Sequence, residues 1–257
     1  MKTLLFNGCS FVAGDALVWD KYCQEVLKFS VDWKGSEHGG KHREDYIRYR
    51  SHYTLSAQCA SLCNTTSLDL SADGASNAHI ALTTLNYLMG LSAPDRKNIH
   101  VCIGWTEESR RLRWHDDRKI FVGLNVHSAA KPGLENLQSF IIADVINGSP
   151  ADHDLDFFKH VLLLENFLLR YNISYTFWRS LGDIINPHKG FKKILNVDDI
   201  SDNNWVKFDI SSNQPAFLDQ LWFRYMTADD YINKSNQHPN VGCVATLATT
   251  LSNMILI

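Results

Sequence analysis

The sequence predicts a single three-layer α/β/α domain around a central, mainly parallel sheet. Three observations lead there. Short β-rich runs alternate with helical patterns along the 257 residues, the signature of strands joined by crossover helices. Hydrophobic residues make up 45% and charged residues 21% of the chain, enough apolar material for a large core and too much for a disordered chain. No Pro/Gly/Ser-rich linker divides the sequence. One domain over 1–257 is therefore expected, a size that single α/β domains reach.

Taken in order, Thr3–Asn7 reads as a buried first strand that ends at Gly8. Ser51–Cys63 has a helical pattern, and Thr65–Leu70 is a second strand. Ser76–Met89 is a helix with Ser76 in the capping position and Ala78, Ala81, Leu82, Leu85, Leu88 and Met89 on one face. Asn98–Ile103 is a third strand, ending at Gly104. Ser149-Pro150, followed by Asp152, Asp154 and Asp156, opens a helix to Arg170: a cap, a proline at the first position and acids in the first turn. Its stripe is Phe158, Val161, Leu162, Glu165 and Leu168, in which Glu165 is out of character. Ile173–Trp178 is a fourth strand. Val241–Ile257 carries no charge, but it falls short of the ~20 apolar residues of a membrane span. Its apolar residues follow helical spacing, with Thr246, Thr249, Thr250 and Asn253 opposite, so it reads as a helix lying on a core. Two stretches, 32–50 and 114–133, stand outside this alternation as insertions that would wall a crevice.

The net charge of −3 argues against a nucleic-acid partner. The basic stretch Lys41–Arg50 is interrupted by Glu44 and Asp45. The apolar run after Met1 turns at once into Gly8 and Ser10, too short for a signal peptide. A cytoplasmic location is expected. Six scattered cysteines read as buried thiols and not as a disulfide framework. Cys59 with Cys63, and His38 with His42, are incomplete ligand sets. No metal, organic cofactor or membrane partner is expected.

In a parallel sheet the ligand crevice lies at the carboxyl ends of the strands. Small polar sequences follow three of them: Gly8-Cys9-Ser10-Phe11, Asp73-Gly74-Ala75-Ser76-Asn77 and Gly104-Trp105-Thr106-Glu107. Ser10 there presents a hydroxyl to the crevice and its own N–H to a developing oxyanion. A serine needs a base, and His238 in Asn236-Gln237-His238-Pro239-Asn240 sits in a polar turn before the last helix, with Pro239 suited to the first helical position. Cys9 reads as buried, Trp105 as packing beneath the site, and Arg110 and Arg111 as a solvated helix face.

Asn7-Gly8-Cys9-Ser10-Phe11-Val12-Ala13-Gly14-Asp15, Gly74-Ala75-Ser76-Asn77, Ile103-Gly104-Trp105-Thr106 and His238-Pro239-Asn240 resemble, in order and spacing, the blocks of the GDSL-like or SGNH esterases and lipases, in a variant similar to a bacterial and phage branch. The resemblance implies the flavodoxin-like fold of that family, with Ser10 as nucleophile, His238 as general base and the Gly74 N–H as an oxyanion donor. The family's third donor is an Asn where Thr106 stands, so the Thr106 hydroxyl or the Asn77 amide would serve. Gly14-Asp15-Ala16-Leu17 looks like the family's namesake tetrapeptide with Ala for Ser, but the aligned nucleophile is Ser10. The family's triad Asp falls at Ser235. Either Ser235 or a backbone carbonyl orients His238 in a Ser–His dyad, or Asp229 or Asp230 supplies the charge from a loop that folds back. The expected activity is hydrolysis of a small-molecule ester, with the polar and aromatic walls (Trp33, His38, His42, Tyr46, Tyr49, Trp114, His115) suiting an O-acetylated sugar. The competing readings are an acyltransferase with the same acyl-enzyme, and a binding or virion structural protein whose site has decayed.

Overall fold

A computed structural model describes residues 2–13, 48–49, 51–125, 128, 132–180, 204–206, 231–233, 236–239 and 241–255, without the side chains of 11, 231–233, 236–239 and 241. In chain order the elements are β1 (Thr3–Gly8), α1 (Ser10–Ala13), α2 (Leu55–Leu62), β2 (Ser67–Asp69), α3 (Asn77–Met89), α4 (Ala93–Lys97), β3 (Ile99–Trp105), β4 (Arg111–His115), β5 (Ile120–Leu124), α5 (Pro150–Arg170), β6 (Ser174–Arg179), β7 (Tyr231–Asn233), β8 (Asn236–Pro239) and α6 (Val241–Ile255). Helical turns through Glu135–Leu137, Gln138–Phe140 and Ile141–Ile146 precede α5.

The central sheet is parallel, in the order β2–β1–β3–β6. The chain leaves β1 to build β2 on one side, then returns past β1 to build β3 on the other. That reversal is the topological switch point, and in open α/β sheets it marks the ligand crevice. Helices cover both faces. On one, Cys102 faces the thiols of Cys59 on α2 and of Cys63 just after it, and α6 lies against α2 with Cys59 Sγ 3.7 Å from Ala248 O. On the other, Trp105 packs edge-on against Phe157 of α5 at 6.0 Å and Phe177 at 5.5 Å. The result is the three-layer α/β/α arrangement that the strand–helix alternation predicts.

Most boundaries follow local chemistry. Ser76 Oγ accepts from His79 N at 3.2 Å and starts α3 where the sequence expects it. In the Ser51–Cys63 segment the capping role falls to Thr54, so α2 starts at Leu55. Ser149 occupies the N-cap position of α5 without a side-chain capping bond, leaving Pro150 as the start signal. The buried Glu165 on α5 accepts from the Tyr175 hydroxyl at 2.6 Å, which explains a carboxylate on an apolar stripe. The described cysteines Cys9, Cys59, Cys63, Cys102 and Cys243 are buried thiols, and burial pushes the Cys59 thiol up to about 12. Among the described residues no helix is long and apolar enough to cross a membrane.

The stretch expected as an insertion near 114–133 belongs to an antiparallel β4–β5 hairpin with a small core of its own: Leu124, Leu134, Ile141 and Val145. His115 is buried there and donates from Nε2 to Gly133 O at 2.8 Å, so it packs the hairpin and does not line a crevice. Trp114 stays 43% exposed against Phe121. Trp33, His38, His42 and Tyr46 lie outside the described residues, while Tyr49 packs on Tyr53 at 5.8 Å.

His100, buried near the start of β3, places Nδ1 3.0 Å from Ser174 Oγ and Nε2 2.9 Å from Thr176 Oγ1. Burial, reinforced by Lys2, lowers its pKa from 6.5 to about 4. The unfolded chain therefore takes up this proton first as pH falls, and the stability that neutral His100 contributes above 6.5 is lost between 6.5 and 4. That loss is roughly 3 kcal/mol if the shift is fully expressed. Urea unfolding at pH 7 and pH 4.5 should show a smaller pH loss in His100→Gln than in the unaltered protein; equal losses would remove His100 from the account.

Candidate active site

The site is built on the last two residues of β1. Cys9 O accepts from Val12 N at 2.9 Å and Ala13 N at 3.0 Å, so α1 starts as soon as the strand ends and Ser10 is its first residue. This abrupt turn works because Gly8 and Gly104 are register partners. A Cβ on Gly8 would stand 2.7 Å from Val12 Cβ and 3.0 Å from Gly104 O. A Cβ on Gly104 would stand 2.5 Å from Val12 Cγ2 and 2.8 Å from Trp178 Cζ2. Neither position has room for a side chain while Val12 seats α1 on the strand ends. Asn7 anchors the other face. Its Nδ2 lies 3.1 Å from Ile80 O, 2.8 Å from Thr83 Oγ1 and 2.9 Å from Thr84 Oγ1, and its Oδ1 accepts from Gly8 N at 2.8 Å. Sequence reading assigned Asn7 no role; an amide beside a glycine at a strand end was the available signal.

The Gly74 loop is tied to the same strand end. Leu70 N donates to Phe6 O at 2.8 Å and Ala72 N to Gly8 O at 3.1 Å, carrying the ladder past β2. A turn closed by Ala75 N to Ala72 O at 3.1 Å follows, with Gly74 at φ 71°, a left-handed conformation that favours glycine. Gly123 of β5 packs directly on the Gly74 carbonyl, which welds the hairpin to this loop.

Beyond β3, Asn77 and Thr106 are reciprocally bonded. Thr106 N donates to Asn77 Oδ1 at 2.9 Å, and Asn77 Nδ2 donates to Thr106 O and Glu107 O, both at 3.2 Å. The two amide hydrogens of Asn77 are thus engaged by backbone carbonyls. Thr106 Oγ1, by contrast, is buried and has no partner among the described residues. The segment after it is held by charge. Glu108 forms a buried ion pair with Arg179 at the end of β6, Arg111 Nε bonds Asp144 Oδ2 at 2.8 Å, and Arg110 Nε bonds Glu107 Oε1 at 2.9 Å. Arg110 and Arg111 are therefore not a solvated helix face: both are buried, and Arg111 opens β4.

Asn236–Pro239, expected as a turn, forms β8 and pairs antiparallel with β7. Pro239 ends that strand and does not open the helix, because α6 starts at Val241. β8, the strand that contains His238, lies beside α1, which carries Ser10, and beside α6. The side chain of His238, and all of Ser235, Asp229 and Asp230, lie outside the described residues. Ser10, Gly74, Asn77 and Thr106 follow β1, β2 and β3 and gather at one end of the sheet.

No protein-family model and no curated protein matches this chain. Among solved structures it is similar to the psychrotrophic esterase EstA from Pseudoalteromonas sp., in a structure inhibited by monoethylphosphonate, with a TM-score of 0.42 and 11% identity over 100% of this chain and 97% of that one. A likeness that remote carries no argument about chemistry.

Because Asn77 satisfies three backbone groups of the Thr106 loop, Asn77→Ala should lower the unfolding free energy by roughly 1–3 kcal/mol, the cost of stranding buried partners. Thr106→Ala strands nothing and should cost clearly less. Chemical denaturation of the two variants tests this, and equal losses would contradict the assignment of Asn77 to the loop.

Proposed function

We propose that the protein is a serine ester hydrolase of the SGNH type. The observation that carries this reading is the position of Ser10: first residue of α1, directly after β1, at the switch point of the sheet and between the Gly74 and Thr106 loops. Ser10 Oγ attacks the ester carbonyl while His238 takes its proton. The oxyanion is held by the N–H groups of Ser10 and Gly74 and by the Thr106 hydroxyl, an array aimed at charge that exists only in the transition state. Collapse of the tetrahedral intermediate expels the alkoxide, which receives the proton from His238. Water activated by the same imidazole then hydrolyses the acyl-Ser10 ester and restores the hydroxyl.

Of the two candidates for the third donor, the engaged amide of Asn77 favours Thr106, whose hydroxyl is unpartnered among the described residues. Asn77 becomes the residue that positions it. With Ser235 where the family has Asp, His238 works in a dyad oriented by Ser235 or a backbone carbonyl. A small ester such as an O-acetylated sugar suits the half-exposed Trp114 on the hairpin that packs against Gly74.

Ser10→Ala should abolish hydrolysis of p-nitrophenyl acetate while the circular dichroism spectrum and thermal transition stay in place; undiminished turnover would overturn the assignment. Thr106→Ala should lower kcat by ~10²–10³ with little change in KM, as for other single oxyanion donors. An unchanged kcat would remove Thr106 from the oxyanion hole.

A further inference from the structure

Thr106 as an oxyanion donor poses a physical problem that the end of β6 answers. A side-chain amide presents two protons in a fixed plane, whereas a hydroxyl has one rotatable proton and two acceptor lone pairs. To act as a preorganised donor, its oxygen must itself accept a hydrogen bond so that the proton is aimed outward. Asn77 cannot supply that bond, since both its amide hydrogens go to backbone carbonyls.

Ser180 stands next to Thr106. β3 and β6 are in register through Trp105↔Arg179, and Ser180 N donates to Trp105 O at 2.8 Å. In a parallel ladder that bond makes Ser180 the register partner of Thr106, one strand spacing of ~4.8 Å away and on the same face by alternation. Both residues are fully buried, and both hydroxyl oxygens lack a partner among the described residues. Ser180 Oγ rests over the bare Cα of Gly104, beside Val12 and Trp178, an apolar setting in which alanine would sit without stranding a polar atom. Cross-strand hydroxyl pairs close readily in sheets. This sheet contains one at its opposite end, where Thr3 Oγ1 lies 3.2 Å from Thr66 Oγ1.

We infer that Ser180 is a positioning residue for Thr106: it turns from Gly104 to donate to Thr106 Oγ1, and the Thr106 proton is thereby directed at the oxyanion. Both hydroxyls are buried without a partner among the described residues, so a bond between them fixes the Thr106 proton toward the place where negative charge develops, and the benefit falls on the transition state. The inference rests on the esterase reading.

The test is a double-mutant cycle on p-nitrophenyl acetate hydrolysis, with Ser10→Ala as the reference for site-dependent turnover. Ser180→Ala should lower kcat about tenfold and leave KM within about twofold, the loss of one aligned hydrogen bond. In a Thr106→Ala background Ser180→Ala should have no further effect. Ser180→Cys, close in volume but a weak donor, should reproduce the loss and guards against a folding artefact. Full kcat in Ser180→Ala, or the same fold-loss with and without Thr106, would overturn the inference while leaving Ser10 as nucleophile. Wild-type turnover that is independent of Ser10 would instead sink the esterase reading, and the role of Ser180 with it.

Discussion

The seat of Val12 on two paired glycines is the contact on which the rest of the site depends. Gly8 and Gly104 face each other across β1 and β3, and the space their missing side chains leave is filled by Val12, Trp178 and Ser180. With a side chain at either position, α1 would have to rise off the sheet, and Ser10 would move with it. Overpacking of this kind forces backbone shifts, and oxyanion geometry is sensitive to shifts below an ångström. Asn7 completes the anchorage from the opposite face through α3. The end of β1 is thus gripped on both sides just before the chain turns into Ser10.

A second layer of interactions holds what faces Ser10. The Thr106 loop has no regular secondary structure, yet its backbone is bonded by Asn77, Glu108 is paired with Arg179, and Arg111 Nη1 donates to Glu108 O at 2.8 Å. Buried ion pairs add little net stability but are costly to break, so their effect here is to fix one conformation of the loop. The β4–β5 hairpin serves the Gly74 side in the same way through Gly123. The Thr106 loop is thus held by side chains from α3, β4 and β6, and the Gly74 loop by the close approach of the β5 backbone at Gly123.

The framework was legible because it is written in periodicity and local chemistry. β1, β3, β6 and α3 follow from apolar runs and a serine cap, and Pro150 with its acids announces α5. What stayed hidden are choices between partners that sequence treats as equivalent. Asn77 reads equally well as an oxyanion donor or as a loop clamp, and only the position of the Thr106 and Glu107 carbonyls separates the two. Arg110 and Arg111 beside Glu107 and Glu108 look like a solvated charge run, because nothing local reveals Asp144 or Arg179 across the fold. The strand β8 was missed since a polar Asn-Gln-His-Pro run has the composition of a turn and acquires its conformation from pairing with β7. Ser180 gave no signal at all, as its meaning lies in its register with Thr106.

The central claim is that Ser10 is a nucleophile activated by its position at the end of β1. Its most direct test is covalent labelling with a fluorophosphonate, followed by peptide mapping of the adduct by mass spectrometry. The account predicts one adduct per chain, on the peptide that contains Ser10, at a rate that falls sharply on denaturation. No adduct on the folded protein, or an adduct on a serine elsewhere in the chain, would contradict it.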